Sequence, residues 1–388
     1  MDFPRTQASL PAPSPDAAAH SARLANFIAR EIAAAGGWIG FDRYMDLALY
    51  APGLGYYTAG ARKIGDSVVG GDFVTAPEIS PLFGRALAVQ VAQVLELVAG
   101  GKPGAILEFG AGTGRLARDI LDELRQRGVA VERYQIVEVS ADLRARQGEL
   151  LDGYPIEWLD APPTRFEGVI LANEVLDVMA VRLFTKTAGA ICERGVTLRD
   201  DRFSFDERPA DARLREEILE IEAETQTMAN GYTSEIGLVA RAWIVQLADL
   251  LSKGVALLID YGFPRHEYYH PQRLMGTIMC HYRHHSHADP FWLPGLNDIT
   301  AHVDWSAIAA TAHAEGLDVL GYTTQANFLI NCGLLDMLAR DHAPEQTSAV
   351  QRLLSESEMG ELFKVLAIGR GVSEPLLGLA RGDRLDRL

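Results

Sequence analysis

The chain has 388 residues, 48% hydrophobic and 23% charged. At about 150 residues per domain that is two to three units or one enlarged domain, and the apolar share excludes a chain disordered throughout. Thirty-six Lys and Arg against 52 Asp and Glu leave a net charge of −16. This argues against a general nucleic-acid binder, while remaining compatible with a basic guest or with ordinary solubility.

Met1 to Asp16 lacks the charged start and apolar middle of a signal peptide, so residues 1–20 are expected to be a disordered tail. Helical spacing of Leu24, Phe27, Ile28 and Ile32 predicts a helix from Ser21 to about Gly36. Residues 41–71 are rich in Gly and aromatics, and Pro81–Val98 reads as a long apolar helix. Residues 21–100 are therefore expected to form a helical cap region. Strand and helix then alternate: strand Ala105–Phe109, helix Arg115–Arg127, strand Tyr134–Val139, helix Ala141–Leu151, then strands Val169–Ala172 and Val181–Thr185. That alternation implies βαβ units and a parallel sheet.

Further on, Gly189–Phe205 has the texture of an inserted hairpin, and Arg213–Thr227 and Glu235–Ser252 read as helices. Val255–Tyr261 is an apolar strand. Phe263–Asp304 has no clear periodicity. A helix Trp305–Glu315, a strand Leu317–Tyr322, a helix Asn327–Ala339 and a last strand Phe363–Ile368 follow. Cys192, Cys280 and Cys332 stand far apart with no Cys-x-x-Cys pair, which fits a reducing compartment and leads to a cytoplasmic expectation. No apolar run approaches the ~20 residues of a membrane span, so no membrane insertion is expected.

The strongest local signal is Glu108-Phe109-Gly110-Ala111-Gly112-Thr113-Gly114, between a predicted strand and a predicted helix. Glycines there permit sharp turns and close approach of a ligand to the backbone, and the helix start offers free N–H groups. The dinucleotide pattern Gly-x-Gly-x-x-Gly would require glycine where Arg115 stands, so it fails. The observed spacing resembles the class I methyltransferase loop for S-adenosylmethionine (SAM), in which the acidic residue, here Glu108, lies near the methionine part. Glu138 ends the next strand, roughly 20 positions beyond the loop, where a carboxylate can accept from both ribose hydroxyls. Leu159-Asp160-Ala161 resembles the turn that contacts the adenine amino group in such enzymes.

Further motifs resemble those of the MidA-like proteins. These are Gly70-Gly71-Asp72-Phe73-Val74-Thr75-Ala76-Pro77-Glu78-Ile79-Ser80, Val137-Glu138-Val139-Ser140, Ala172-Asn173-Glu174, Ile259-Asp260-Tyr261-Gly262, Asp298–Asp304 and Phe363-Lys364-Val365-Leu366. The mitochondrial members of that family are arginine methyltransferases acting in assembly of respiratory complex I. The loop departs from the family's usual Gly-Pro-Gly-Arg-Gly, so no role of its arginine carries onto Thr113. The resemblance implies a class I SAM-methyltransferase fold: α/β, Rossmann-like, with a seven-stranded, mostly parallel sheet whose last strand is antiparallel. The methyltransferase domain is expected over 101–388, with insertions near 188–232 and 263–304.

Implied cofactor ligands are Glu108, Gly110, Gly112, Gly114, Glu138, Asp160 and Asp72. The implied substrate is an arginine-bearing protein, including a complex I subunit where the organism has one, with a homodimer left open. A guanidinium has a pKa of about 12.5–13.8, and lowering it unaided to pH 7 costs roughly 7.5 kcal/mol. Carboxylates that grip it bidentately remove the need. Glu174 is the expected main ligand, with Asp177 and Asn173 in support and Glu78 a weaker candidate. His270, His281, His284, His285 and His287 are read as lining an entrance or interface; methyl displacement needs no metal. Rival readings are a small-molecule or other-residue methyltransferase, a SAM-binding assembly factor without catalysis, and a nicotinamide oxidoreductase.

Overall fold

The computed structural model describes residues 10–59, 75–341 and 344–388. Asp72, with the rest of Gly70–Val74, lies outside them. Helix α1 spans Pro15–Ala34, beginning at Pro15 rather than Ser21. Ser14 caps it by accepting from the Ala17 N–H (3.3 Å), and Pro15 has the fixed φ that suits a first helical position. The expected tail is thus partly helical. Strand β1 (Ile39–Gly40) and helix α2 (Phe41–Tyr50) follow. After α3 (Ala76–Ile79), Ser80 and Pro81 start α4 (Pro81–Ala99), and Gly100 ends it at φ 59. Contrary to the sequence expectation, α4 is long and apolar enough to cross a bilayer; more than half of it is buried inside the protein.

The central sheet begins with β2 (Gly104–Phe109), α5 (Arg115–Gln126), β3 (Val131–Val137), α6 (Ala141–Leu150), β4 (Ile156–Leu159) and β5 (Phe166–Asn173). The chain then leaves it. Strand β6 (Arg182–Thr187), expected in the parallel array, instead pairs antiparallel with β7 (Ala190–Arg199) and β9 (Thr233–Ile236), in a separate sheet with β1 and β8 (Arg202–Pro209). Its apolar run matched a buried strand but carried no sign of which sheet it joins. Helix α7 (Ala212–Glu224) precedes β9. The expected helix from Glu235 starts as strand β9, and Gly237 separates that strand from α8 (Leu238–Leu250).

Strand β10 (Leu251–Phe263) returns to the central sheet. The stretch without periodicity holds α9 (Arg265–Tyr268), β11 (Met279–Tyr282), β12 (His285–His287), β13 (Asp298–Thr300) and β14 (Val303–Asp304). Strands of two to four residues are too short to show a period of two. Then come α10 (Trp305–Ala314), β15 (Asp318–Thr324), α11 (Gln325–Asn331), α12 (Leu334–Asp341), α13 (Pro344–Leu354), α14 (Met359–Leu362) and β16 (Phe363–Arg370). The single helix expected at Asn327–Ala339 is two, broken where Gly333 takes φ 84.

The strand order is β15-β16-β10-β5-β2-β3-β4, with β14 added beside the end of β10. The seven-stranded core is as the resemblance implies, and the short β14 makes an eighth strand. β16 runs antiparallel to both neighbours, and the joins from β10 through β4 are parallel. Side-chain alternation sorts the strands onto two cores. Ile106, Val169, Leu171, Leu257 and Val365 pack with α4, α5 and α11–α13; Leu107, Ile170, Leu258 and Leu366 pack with α8 and α10.

Gly168 on β5 and Gly254 on β10 face each other at φ 143 and φ 137. A β-carbon on Gly168 would collide with the Ala105 carbonyl oxygen, and one on Gly254 with that of Gly168. Gly168→Ala is therefore expected to cost about 3 kcal/mol or more, from backbone strain plus overpacking. Urea unfolding measures it; a change within about 0.5 kcal/mol would show that the strands re-register without penalty.

Candidate active site at the carboxyl edge of the sheet

Ligands of open α/β sheets bind outside the carboxyl ends of the strands. Here the ends of β2, β3, β4, β5 and β10 converge. Gly110, Gly112 and Gly114 have φ 66, 54 and 86, a region costly to other residues, so the loop needs glycine for its path. Gly110 and Gly112 are exposed, and a β-carbon on Gly112 would meet nothing within 4 Å, which leaves room for a ligand over the loop. Glu78 on α3 pins the loop: it accepts from Thr113 Oγ1 (2.5 Å) and Arg115 Nη1 (2.8 Å).

Glu108 is buried and accepts from the Tyr134 hydroxyl (2.8 Å); burial, with the nearby Glu138, pushes its pKa up to about 7. Glu138 accepts from the Ser140 N–H (2.8 Å) and from Gln147 Nε2 (3.3 Å), and burial raises its pKa too. Asp160 is exposed after β4 and pairs with Arg144 (2.8 Å). Arg144 also donates to the carbonyls of Glu138 and Leu159, both at 2.6 Å. Gln147 ties the parts together. It donates to the Gly112 carbonyl (2.8 Å) and Glu138, and accepts from Trp158 Nε1 (2.9 Å). The structure thus brings the glycine loop, Glu138 and Asp160 to one edge.

The second half of the site follows β5. Glu174 has φ 54, a strained conformation for a residue with a side chain. The turn is held from β10. The Glu174 N–H donates to the Ile259 carbonyl (2.9 Å), and the N–H groups of Leu176 and Asp177 donate to Asp260 Oδ2 (2.9 and 3.2 Å). Asp260 Oδ1 accepts from the Tyr261 N–H (2.9 Å). Asn173 Nδ2 donates to Glu174 Oε1 (3.2 Å), and the Ala301 N–H to the Asp177 carbonyl (2.9 Å). Glu174, Asp177 and Asn173 therefore share one turn.

Burial, then Asp177 and more weakly Asp298, push the Glu174 carboxyl up to about 8, against easing hydrogen bonds from Asn173 and the Ala76 N–H. Asp177 and Asp260 are both raised, chiefly by burial. No cation is among the main influences on these three acids, and Lys364, opposite Asp260 on β16, donates instead to the Glu361 and Leu362 carbonyls. Asp298, from the motif at 298–304, accepts from the Tyr57 hydroxyl (2.7 Å), and Tyr57 stacks on Tyr50 at 5.5 Å.

Sequence reasoning passed over Asp260, Gln147 and Val139 as site residues, and took Asp298 only as part of a segment, Asp298 to Asp304, that either shapes the substrate channel or is a buried structural loop. Asp260 and Asp298 stood inside quoted motifs, and their placement beside Glu174 is purely tertiary. Val139 is 73% exposed despite being apolar, directly after Glu138. Of the histidines, His281, His285 and His287 sit on the hairpin β11–β12, whose two-residue turn is Arg283-His284. Among the described residues no group of His, Cys, Asp or Glu is arranged to hold a metal.

The fold and this edge together define a class I SAM-dependent methyltransferase. The chain belongs to the Methyltransf_28 family of S-adenosyl-L-methionine-dependent methyltransferases, which it matches over residues 86–323. It is 49% identical to a Burkholderia thailandensis protein crystallised with S-adenosyl-homocysteine, across 98% of this chain and 100% of that one, with a TM-score of 0.91. A native structure from the same organism gives 48% and 0.90, at the same coverage. Among curated proteins, the mitochondrial protein arginine methyltransferase NDUFAF7 of Danio rerio is 29% identical over 86% of this chain and 83% of its own length. The human protein of that name is 28% identical over 84% and 78%. These relatives are named as mitochondrial, and that overturns the cytoplasmic expectation. Sparse, unpaired cysteines mark a reducing environment without saying which compartment holds it.

The folded protein holds Glu174 protonated to higher pH than the unfolded chain, so its burial lowers stability as pH rises from 4.5 towards about 8. Glu174→Gln is expected to stabilise the protein above that window, by on the order of 1–3 kcal/mol, with the gain fading below it. Thermal unfolding at about pH 5 and about pH 9 measures the difference; an equal gain at both would mean that Glu174 does not titrate in this range.

Proposed function

We propose that this enzyme methylates an ω-nitrogen of arginine in a protein substrate. One observation carries the reading: Glu174, Asp177 and Asp260 are buried together at the carboxyl edge, Asp177 raises the pKa of Glu174 and both raise that of Asp260, and no cation is among the main influences on the three. Buried like charges of that kind are costly unless a cation joins them. A guanidinium is such a cation, and its planar fork matches two carboxylate oxygens. The relatives' names as arginine methyltransferases agree with this choice.

The cofactor supplies a methyl group on a positively charged sulfur. In the proposed chemistry Glu174 binds the guanidinium and turns one nitrogen towards the methyl, which is most of the catalytic task in an in-line displacement. Asp177 supports it, and Asn173 fixes the Glu174 carboxylate. The nitrogen lone pair forms the new N–C bond as the C–S bond breaks, with its electron pair leaving on sulfur. The proton that the nitrogen gives up passes to the carboxylate pair, whose raised pKa suits it to accept.

On the cofactor side we assign the ribose hydroxyls to Glu138 and the adenine edge to Asp160. The methionine part falls to Glu108 and the loop of Gly110, Gly112 and Gly114. Val139 offers an apolar face to the adenine ring. Asp72 remains a candidate by motif alone. The catalytic unit we propose is 101–388, capped by 21–100. A complex I subunit as substrate and a homodimer rest on the family resemblance.

Mass spectrometry of arginine methylation in cells with and without the protein tests the substrate class; if no methyl-arginine peptide disappears in its absence, the reading fails. With purified protein, Glu174→Gln is expected to lower kcat by about 100-fold or more, as loss of a positioned charge does. Calorimetric SAM affinity should stay within about twofold.

A further inference from the structure

Helices α2 and α8 flank a surface groove that the methyl-transfer chemistry does not use. Asp42, Asp46 and Tyr50 line it from α2, Val239 and Trp243 from α8, and Met179 from the turn that follows Asp177. Both ends of the active site touch its walls. The Tyr50 hydroxyl donates to the Val178 carbonyl (3.2 Å), and its ring stacks on Tyr57, whose hydroxyl holds Asp298. On the opposite wall Trp243 meets Phe109 edge-on at 5.1 Å, and Phe109 directly precedes Gly110. The groove therefore joins the acid cluster to the glycine loop from outside.

Its charge is acidic. Arg43 also lines it, but that guanidinium is committed to Asp46 (2.8 Å) and to Glu31 (2.9 Å). Asp42 feels Arg182, which is itself held by Glu193 and Asp211. Carboxylates thus outnumber the cations along α2, and they sit beside exposed apolar surface: Val239 is 45% exposed.

We propose that this groove seats an extended, basic segment of the protein substrate, flanking the arginine delivered to Glu174. The inference rests on the arginine reading above. Helix α2 has 10 residues, a length of about 15 Å. At about 3.3 Å per residue that wall spans four or five extended residues. Lys or Arg in the segment face Asp42 and Asp46, and an apolar side chain covers Trp243 and Met179. Opposed charges of this kind select partners and speed encounter more than they add affinity.

Steady-state kinetics on synthetic peptides test it: one central arginine flanked by lysines and apolar residues, and the same peptide with glutamates for lysines. The wild type is expected to show a KM at least about tenfold lower for the lysine peptide. Asp46→Lys at a half-buried position and Val239→Lys at an exposed one are expected to erase most of that preference through KM, with kcat changing less than about twofold. Calorimetric SAM affinity, unchanged in both variants, shows that they are folded. Equal KM values for the two peptides, or a preference that survives both substitutions, would overturn the groove. If neither peptide is methylated while cells lacking the protein still lose methyl-arginine peptides, the groove inference falls and the arginine reading stands. If the cells lose none, the arginine reading itself is what failed.

Discussion

The site depends on Asp260. One fully buried carboxylate at the end of β10 accepts the N–H groups of Leu176, Asp177 and Tyr261, and so fastens the turn after β5 to the neighbouring strand. Without it the turn keeps the Glu174 N–H bond to Ile259 but loses the anchor of the two following N–H groups, and a left-handed residue with a β-carbon persists only where its surroundings over-determine it. The anchor has a cost. Asp260 sits among Glu174 and Asp177, and after burial those two carboxylates make it harder to ionise, as Asp177 does Glu174. Strain and like-charge crowding at one turn indicate a place organised for something other than stability.

The half around the glycine loop is built on a different plan. Beyond the effect of Glu138 on Glu108, its contacts are hydrogen bonds between neutral or opposite partners: Gln147 to Gly112 and Trp158, Arg144 to two carbonyls and Asp160, Glu78 to Thr113 and Arg115. The loop's path is fixed before any ligand arrives, which lowers the ordering cost of binding. Arg115 completes the grip on Glu78 that Thr113 begins. The altered loop residue is thus absorbed without changing the glycines.

The sequence made the βαβ half legible because its signals are local. The period-two and period-3.6 patterns around Glu108 and Glu138, and glycines at fixed offsets, survive any tertiary context. The turn at Glu174 was legible as residues but not as geometry. Its partners lie at Ile259, Asp260 and Ala301, far along the chain. β6 was assigned to the wrong sheet for the same reason: Leu183 and Phe184 read as a buried strand, and only the pairing with β7 and β9 says which sheet buries them. The strands within 263–304 were invisible because two to four residues carry no period.

The net charge of −16 looked like a clue to a basic partner, and its total has little to do with the matter. Most of those carboxylates are solvated, and at physiological salt their reach ends within about 8 Å. What counts is where acid is left uncompensated. Arg182 sits between Glu193 and Asp211, and Lys186 meets Glu222, so much of the antiparallel sheet's acidic charge is matched. At the end of β5, Glu174, Asp177 and Asp260 are buried together with no cation among the main influences on them. The fold thus pairs carboxylates with cations in its second sheet and leaves these three buried together at the end of β5.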